Sequence, residues 1–316
     1  MGQVNCSNCT CAKKEIEHEF ELKDEKPRHH ASASMVTTEF PRLSSEYQQS
    51  TLQQSLSIIK IQALWRGYQV RKLALIANSV KEVHATYTYK SGAVYSGQWA
   101  GKTRHGYGVQ SWPDGAKYEG AWKDNRANGH GTFWHVGGDF YTGQWLNEKA
   151  NGKGTYTHMN GATYEGDWKN DLQEGFGSEV WADGSKYFGF YRNGKKHGFG
   201  AYNWSDGSCY VGHWLENRIS GKGTYSWVDG RTYCGEWQSN NMHGFGVYTW
   251  KDGRRYEGEY KFDKKHGHGV YVWPDGKQYR GGWKNGKQHG EGLLVWPNGE
   301  TRKGSWSEGK KVWLES

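Results

Sequence analysis

The sequence predicts an all-β repeat array: one elongated, single-layer antiparallel sheet of consecutive hairpins, preceded by a disordered arm and one α-helix. Three observations carry that expectation. A Tyr-x-Gly-x-aromatic pattern, its last residue mostly Trp, starts at Tyr95, Tyr118, Tyr141, Tyr164, Tyr187, Tyr210, Tyr233, Tyr256 and Tyr279, always 23 residues apart. A further copy keeps the phase with Arg302, Gly304 and Trp306, and a fixed period of this size marks a repeat architecture. Asp-Gly or Asn-Gly steps recur in the same phase, as at Asp114-Gly115, Asn160-Gly161 and Asp252-Gly253, and supply the backbone angles of tight hairpin turns. Finally, Trp, Tyr and Phe make up 16% of the chain and glycine numbers 46, while hydrophobic residues reach only 34%. That mixture is poor in the Leu, Ile and Val of a compact core and suits a chain whose repeats touch only their neighbours.

The arm, residues 1–54, opens Met1-Gly2 with Cys6, Cys9 and Cys11 close behind. Gly2, exposed by removal of Met1, offers a myristoylation site, and the cysteines offer palmitoylation sites. One myristoyl chain holds a membrane only marginally, and Glu15, Glu17, Glu19 and Glu21 exclude a polybasic second signal. The alternatives are a doubly acylated anchor or an unmodified tail with reduced thiols. Three thiolates without a second pair argue against a zinc site. Five cysteines in all do not make a disulfide framework, and Cys209 and Cys234, at different phases of the repeat, read as free thiols. From Glu15 to Gln54 the composition is polar and aperiodic, which predicts disorder.

Residues 55–80 change character. Ile58, Ile61, Trp65, Tyr68 and Leu75 fall on one helical stripe. Within it Ile61, Gln62, Arg66, Gly67 and Arg71 are spaced so that the segment resembles an IQ motif, which implies binding of calmodulin or a related EF-hand protein. Ile61 and Trp65 would anchor an apolar groove, Gln62 would hydrogen-bond, and Arg66 and Arg71 would face an acidic partner. The competing reading is an amphipathic helix that caps the first repeat.

Residues 84–316 form the array. Counting each unit from its Tyr as position 0, positions 0, 2 and 4 share a strand face with positions 13, 15 and 17 of the next strand. Pairing across a loop at positions 5–12 sets 4 opposite 13 and lays each ring over a glycine. Tyr87 to Gly92 reads as the trailing half of a preceding unit. Lys102, Arg104, Arg192, Lys195, Lys196, Lys261, Lys264 and Lys265 would then line one edge of the sheet as a basic ridge. This ridge is either a solubilising edge or a surface for acidic partners, consistent with the net charge of +8. The opposite face turns apolar at Val247, Val270, Val272, Leu293 and Val295, with Phe188 and Phe190 midway, which predicts a covering partner or a second copy of the chain.

The Tyr, Gly and Trp positions, together with His105-Gly106, His197-Gly198, His243-Gly244, His266-Gly267 and His289-Gly290 at positions 10 and 11, resemble the MORN repeat (membrane occupation and recognition nexus). The resemblance covers about 220 of 316 residues. It implies structural and organising work, as in radial-spoke and other ciliary proteins, cortical and basal-body scaffolds, and junctophilins. Equivalent histidines lie two strands, ~9.5 Å, apart, too far to share a metal ion. No catalytic set or phosphate loop stands outside the period, so no cofactor, no metal and no enzymatic activity are expected. Nucleic acid is disfavoured because the rings are committed to the sheet. With no apolar run of ~20 residues and no signal-peptide pattern, the chain is expected on the cytosolic side. The first expectation is a calmodulin-recruiting scaffold of the cytoskeleton, with the ciliary axoneme as its place. The alternative is a lipid-anchored adaptor that binds acidic phospholipids or organises a membrane–cytoskeleton contact.

Overall fold

The computed structural model describes residues 86–312. These form 21 strands in one open sheet, each paired antiparallel with its neighbours in the chain. The trailing half-unit read at the start is present: β1 (Tyr87–Thr88) pairs with β2 (Val94–Ala100). From there, strands of seven and nine residues alternate, as β2, β3 (Thr103–Ser111) and β4 (Lys117–Lys123) begin to show.

The register differs from the expected one by two residues. Within a unit, Tyr95 faces Gln110, Gly97 faces Gly108 and Trp99 faces Arg104, so position 4 opposes 9 rather than 13. Across the Asp-Gly turn, Gln110 faces Tyr118 and Gly106 faces Trp122. The cause lies in the connection at positions 6 and 7. Instead of an eight-residue loop there is a two-residue turn in which, from the second unit onward, both residues have positive φ, such as Asp124 (50°) with Asn125 (65°) and Ser239 (48°) with Asn240 (69°). Positive φ at both central residues is the type I′ geometry, whose twist matches that of the flanking strands. The Asn, Asp or Gly found at position 7 in most units tolerates this conformation.

The two surplus residues go into a bulge. Positions 10 to 12 of the longer strand stand opposite the single residue at position 3, between the Gly97–Gly108 and Trp99–Arg104 pairs. The glycine at position 11 sits at φ between 57° and 97° in every unit, which explains the recurrent His-Gly step as bulge chemistry. In four units the amide freed at position 12 is taken up by a Gln, Asp or Glu side chain at position 3. Gln98 accepts from the Tyr107 N–H at 2.7 Å, Gln144 from Lys153 at 2.9 Å and Glu259 from His268 at 2.9 Å.

Each tyrosine at position 0 lies flat over two glycines, its own at position 2 and the one at position 13 of the next strand. A methyl group on Gly108 would overlap the Tyr95 ring, and the same holds for Gly154 under Tyr141. Rings thus cover glycines as expected, but along the diagonal and not directly across. In all nine units the tyrosine hydroxyl donates to the carbonyl of position 3 at 2.9–3.1 Å. Its ring meets two indoles edge-on, as Tyr95 does Trp99 at 5.0 Å and Trp122 at 5.5 Å. Trp122, Trp145, Trp168, Trp214, Trp237 and Trp283 each donate Nε1–H to the position-13 carbonyl of the preceding unit at 2.9–3.2 Å. Tyr191 and Tyr260 replace the indole: Tyr191 donates to Glu179, whereas the buried Tyr260 hydroxyl has no partner.

Replacing Gly154 by Ala is expected to lower local stability by about 1–3 kcal/mol through overpacking beneath Tyr141. Amide hydrogen exchange should report faster opening in residues 140–169 and unchanged protection beyond Thr232. Uniform loss along the sheet would contradict this nearest-neighbour picture.

Candidate functional site

The expected sites divide between described and undescribed residues. Gly2, Cys6, Cys9 and Cys11, and the motif residues Ile61, Gln62, Trp65, Arg66, Gly67 and Arg71, lie outside the described residues. The eight residues expected to form the basic edge are all described, and they separate into two groups. Lys102, Arg192, Lys195, Lys261 and Lys264 are exposed beside the type I′ turns, with Arg192 facing Lys195 and Lys261 facing Lys264. Lys195 also approaches Glu216 at 3.6 Å.

Arg104, Lys196 and Lys265 leave that edge and fold onto the aromatic face, a correction that follows from the register. Position 9 belongs to a strand and faces the ring at position 4, so its side chain lies among rings instead of in a loop. Four groups surround it: position 17 of the preceding unit, positions 0 and 15 of its own, and position 4 of the next. The Lys265 ammonium sits 4.5–5.1 Å from the ring centroids of Trp250, Tyr256, Tyr271 and Trp283. The Arg104 guanidinium lies 4.3 Å over Trp122, with Tyr89 and Tyr95 further out, and bonds to Gln110 and the Asn125 carbonyl. Lys196 lies over Trp181, Tyr187 and Tyr202 and meets Glu179 at 3.7 Å.

Such cages attract cations through the negative faces of the rings, while burial penalises the charge. Burial pushes the Lys265 amine down to about 8, with the nearby Arg254 adding to the fall. Burial also lowers Lys196, and Glu179 opposes that shift. Loss of water around the position-0 phenols raises them, Tyr95 and Tyr279 to about 12.

Sequence reasoning missed a second set of cations on the same face. Position 21 is Ala93, Ala116 and Ala162 early in the chain but Arg231, Arg254 and Lys277 later. Arg231 and Arg254 lie over Trp227 and Trp250 at 5.4 and 5.3 Å and are held by Asp229 and Asp252. The phase table that exposed the Tyr period would have revealed this drift, because position 21 alternates onto the face of positions 17 and 0. On the opposite face Val247, Val270, Val272, Leu293 and Val295 are half-buried, and Phe190 meets Phe176 edge-on at 5.7 Å. Gly282, lacking a side chain at position 3, leaves an open hollow of about 370 Å³ beside His266, His268, His289 and Glu291. Among the described residues no three ligating side chains gather closely enough to hold a metal ion. Cys234 is a free thiol. Cys209 is buried and, against the sequence reading, is not a free thiol.

Comparison with family models finds nine MORN repeats, at residues 95–117, 118–140, 141–163, 164–186, 187–209, 210–230, 233–254, 256–278 and 279–301. An IQ calmodulin-binding motif matches residues 56–75. No curated protein matches the chain. Among solved structures, the TCP10 domain of Danio rerio CPAP in complex with a peptide of Danio rerio STIL is 13% identical, with a TM-score of 0.40, covering 72% of this chain and 97% of that one. The same domain alone is 10% identical, with a TM-score of 0.35, covering 69% and 97%. Virginiamycin B lyase from Staphylococcus aureus is 13% identical, with a TM-score of 0.14, covering 70% and 69%. At these values the structural likenesses transfer no function.

The buried Lys265 yields a pH dependence with a defined sign. Its amine holds a proton more weakly when folded than when unfolded, so the unfolded chain binds more protons between pH 8 and 9.5. Stability should therefore rise with pH across that window relative to Lys265→Met, by on the order of 1 kcal/mol. Parallel denaturant midpoints for the two proteins across the window would overturn this reading.

Proposed function

Since the chain belongs to the MORN-repeat family and carries an IQ calmodulin-binding motif, we propose that it is a non-enzymatic scaffold of the cytoskeleton. It holds protein partners along the sheet and recruits calmodulin or a related EF-hand protein through residues 56–75. The observation that carries this reading is the single-layer sheet itself. Among the described residues, 21 strands in one layer, nearly every residue with special chemistry is accounted for by its phase in the repeat. Tyr holds glycine pairs, Gly at position 11 forms the bulge, and polar residues at position 3 cap it. Little remains to assemble a catalytic centre, whereas two long faces remain available for partners. Both matched families are binding modules, which supports the same conclusion. We place the protein on the cytosolic side, at the ciliary axoneme.

A second reading, a membrane adaptor anchored through Gly2 and Cys6, Cys9 or Cys11, is favoured by the acylatable start of the chain. Acidic phospholipid would then meet the exposed turn-edge residues Lys102, Arg192, Lys195, Lys261 and Lys264.

Two measurements test these readings. Calmodulin should retain the full chain in a pull-down, and replacing Ile61 and Gln62 by Ala should abolish retention; undiminished binding would remove the motif from the mechanism. A carboxy-terminally tagged chain and its Gly2→Ala variant should both remain on detergent-extracted axonemes of a ciliated cell. A detergent-soluble wild type at membranes, with Gly2→Ala in the cytosol, would establish the anchored adaptor in place of the scaffold.

A further inference from the structure

The cage that surrounds position 9 recurs in every unit, but its occupant varies. Arg104, Lys196 and Lys265 supply a cation, Ile219 and Met242 an apolar chain, and Gln173 and Gln288 an amide. In two adjacent units the residue is Ala127 and Ala150, each a single methyl group buried at the base of its rings.

The rings have not closed over the space. Around Lys265, Trp250 and Tyr271 are 5.8 Å apart at 57°, and Tyr271 and Trp283 are 6.1 Å apart. Around Ala127, Trp112 and Phe133 are 5.8 Å apart at 58°, and Phe133 and Trp145 are 6.3 Å apart. Around Ala150, His135 and Tyr156 are 5.9 Å apart, and Tyr156 and Trp168 are 6.3 Å apart. The indoles record the difference in filling. Trp122, Trp214, Trp237, Trp283 and Trp306 each close a cage with a long side chain at position 9 and are buried. Trp145 and Trp168, which close the two alanine cages, are only partly buried.

Charge distinguishes the second of these cages, through Asp139, from its later counterparts. At the second cage the Asp139 carboxylate accepts from the Tyr156 hydroxyl at 2.9 Å, and Asp171 accepts from the Ala150 N–H at 2.7 Å. Position 21, occupied here by Asp139, bears Arg231, Arg254 and Lys277 further along. Two cages without a long occupant of their own therefore lie next to each other, the second beside the Asp139 carboxylate, on a face that fills equivalent cages with its own cations.

We propose that the cages over Ala127 and Ala150 bind two basic side chains, lysine or arginine, from one extended peptide of a partner protein. Adjacent units are two strands apart, about 9.6 Å. A polyproline II segment rises ~3.1 Å per residue with three residues per turn, so residues i and i+3 lie on the same side about 9.3 Å apart. The partner motif is thus two basic residues at that spacing in a polyproline II conformation, each inserted as Lys265 inserts into its own cage. This rests on the scaffold reading only in taking the ligand to be a protein.

The test uses the full chain and a nine-residue proline-rich peptide with lysines at its fourth and seventh positions, with binding read by calorimetry and by indole fluorescence. The peptide should bind, and norleucine at either lysine, or lysines two apart, should weaken binding about tenfold or more. Ala127→Lys with Ala150→Lys should abolish binding by supplying the internal cation. Ala127→Met with Ala150→Met, a filling already present at Met242, should do the same should the first pair fold poorly. Equal binding by the norleucine peptide, or by the folded methionine variant, would overturn the proposal. So would absence of peptide binding, including the case in which phosphatidylcholine vesicles bind instead. None of these outcomes involves calmodulin or cell fractionation, so failure here leaves the scaffold reading standing.

Discussion

Everything in the sheet depends on one contact, the tyrosine ring at position 0 lying over a facing pair of glycines. A flat sheet edge-to-edge with water on both sides has no interior. Here the interior is made by letting the backbone of positions 2 and 13 serve as the floor and the phenol ring as the roof. Tyr95, Tyr187, Tyr210, Tyr233, Tyr256 and Tyr279 reach 0% exposure in this way although the described residues form a single layer. The hydroxyl satisfies the carbonyl at position 3, opposite the bulge and without a strand partner, and the neighbouring indole N–H satisfies the carbonyl at position 13. Apolar burial and polar satisfaction are therefore solved by the same few atoms in each unit.

That contact was legible because it requires specific residue types at fixed spacing. Only glycine admits the ring, and only a ring with a polar tip reaches the carbonyl, so the pattern recurs with no slip. The register was less legible. Both the expected and the observed pairings place positions 0, 2 and 4 on one face, because a shift by two preserves side-chain alternation. What decides between them is backbone conformation at positions 6, 7 and 11, where positive φ converts an apparent loop into a tight turn followed by a bulge. Asn125, Asp171, Asn217 and Asn240 at position 7 were the available signal. They looked like ordinary loop polarity until the turn type was known. The assignment of Arg104, Lys196 and Lys265 to an edge failed for the same reason: a residue thought to lie in mid-loop lies in a strand beneath rings.

The consequence for electrostatics is that formal charge poorly describes this surface. Of the eight basic residues counted toward a ridge, five face solvent beside the turns and three are drawn onto the aromatic side. Conversely, Arg231, Arg254 and Lys277 lie across indoles at the other edge, beside the Asp-Gly turns. Aromatic rings act beside carboxylates in organising these cations, because a ring face held by the tyrosine–glycine floor is already in place for a charge. One carboxylate on the face, Glu179, meets both Lys196 and the Tyr191 hydroxyl, and Tyr191 stands where other units have an indole.

A sheet in which each unit touches only its neighbours separates folding from recognition in a simple way. Positions 0, 2, 11 and 13 are occupied almost without variation because every unit needs them to pair. Positions 9, 15, 17 and 21 touch the same rings but do not decide the register, so they are free to differ from unit to unit. The variation is not random along the chain. After Arg104 come small or acidic residues at Ala127, Asp139 and Ala150, and basic ones return at Lys196, Arg231, Arg254 and Lys265, on one face and at one repeat spacing. A partner lying along this face would meet a constant lattice of rings whose charge changes with distance. Binding registered against such a lattice is set by where the cages are empty and where they are filled, so the units that look least complete as structure carry the most information about what lies on them.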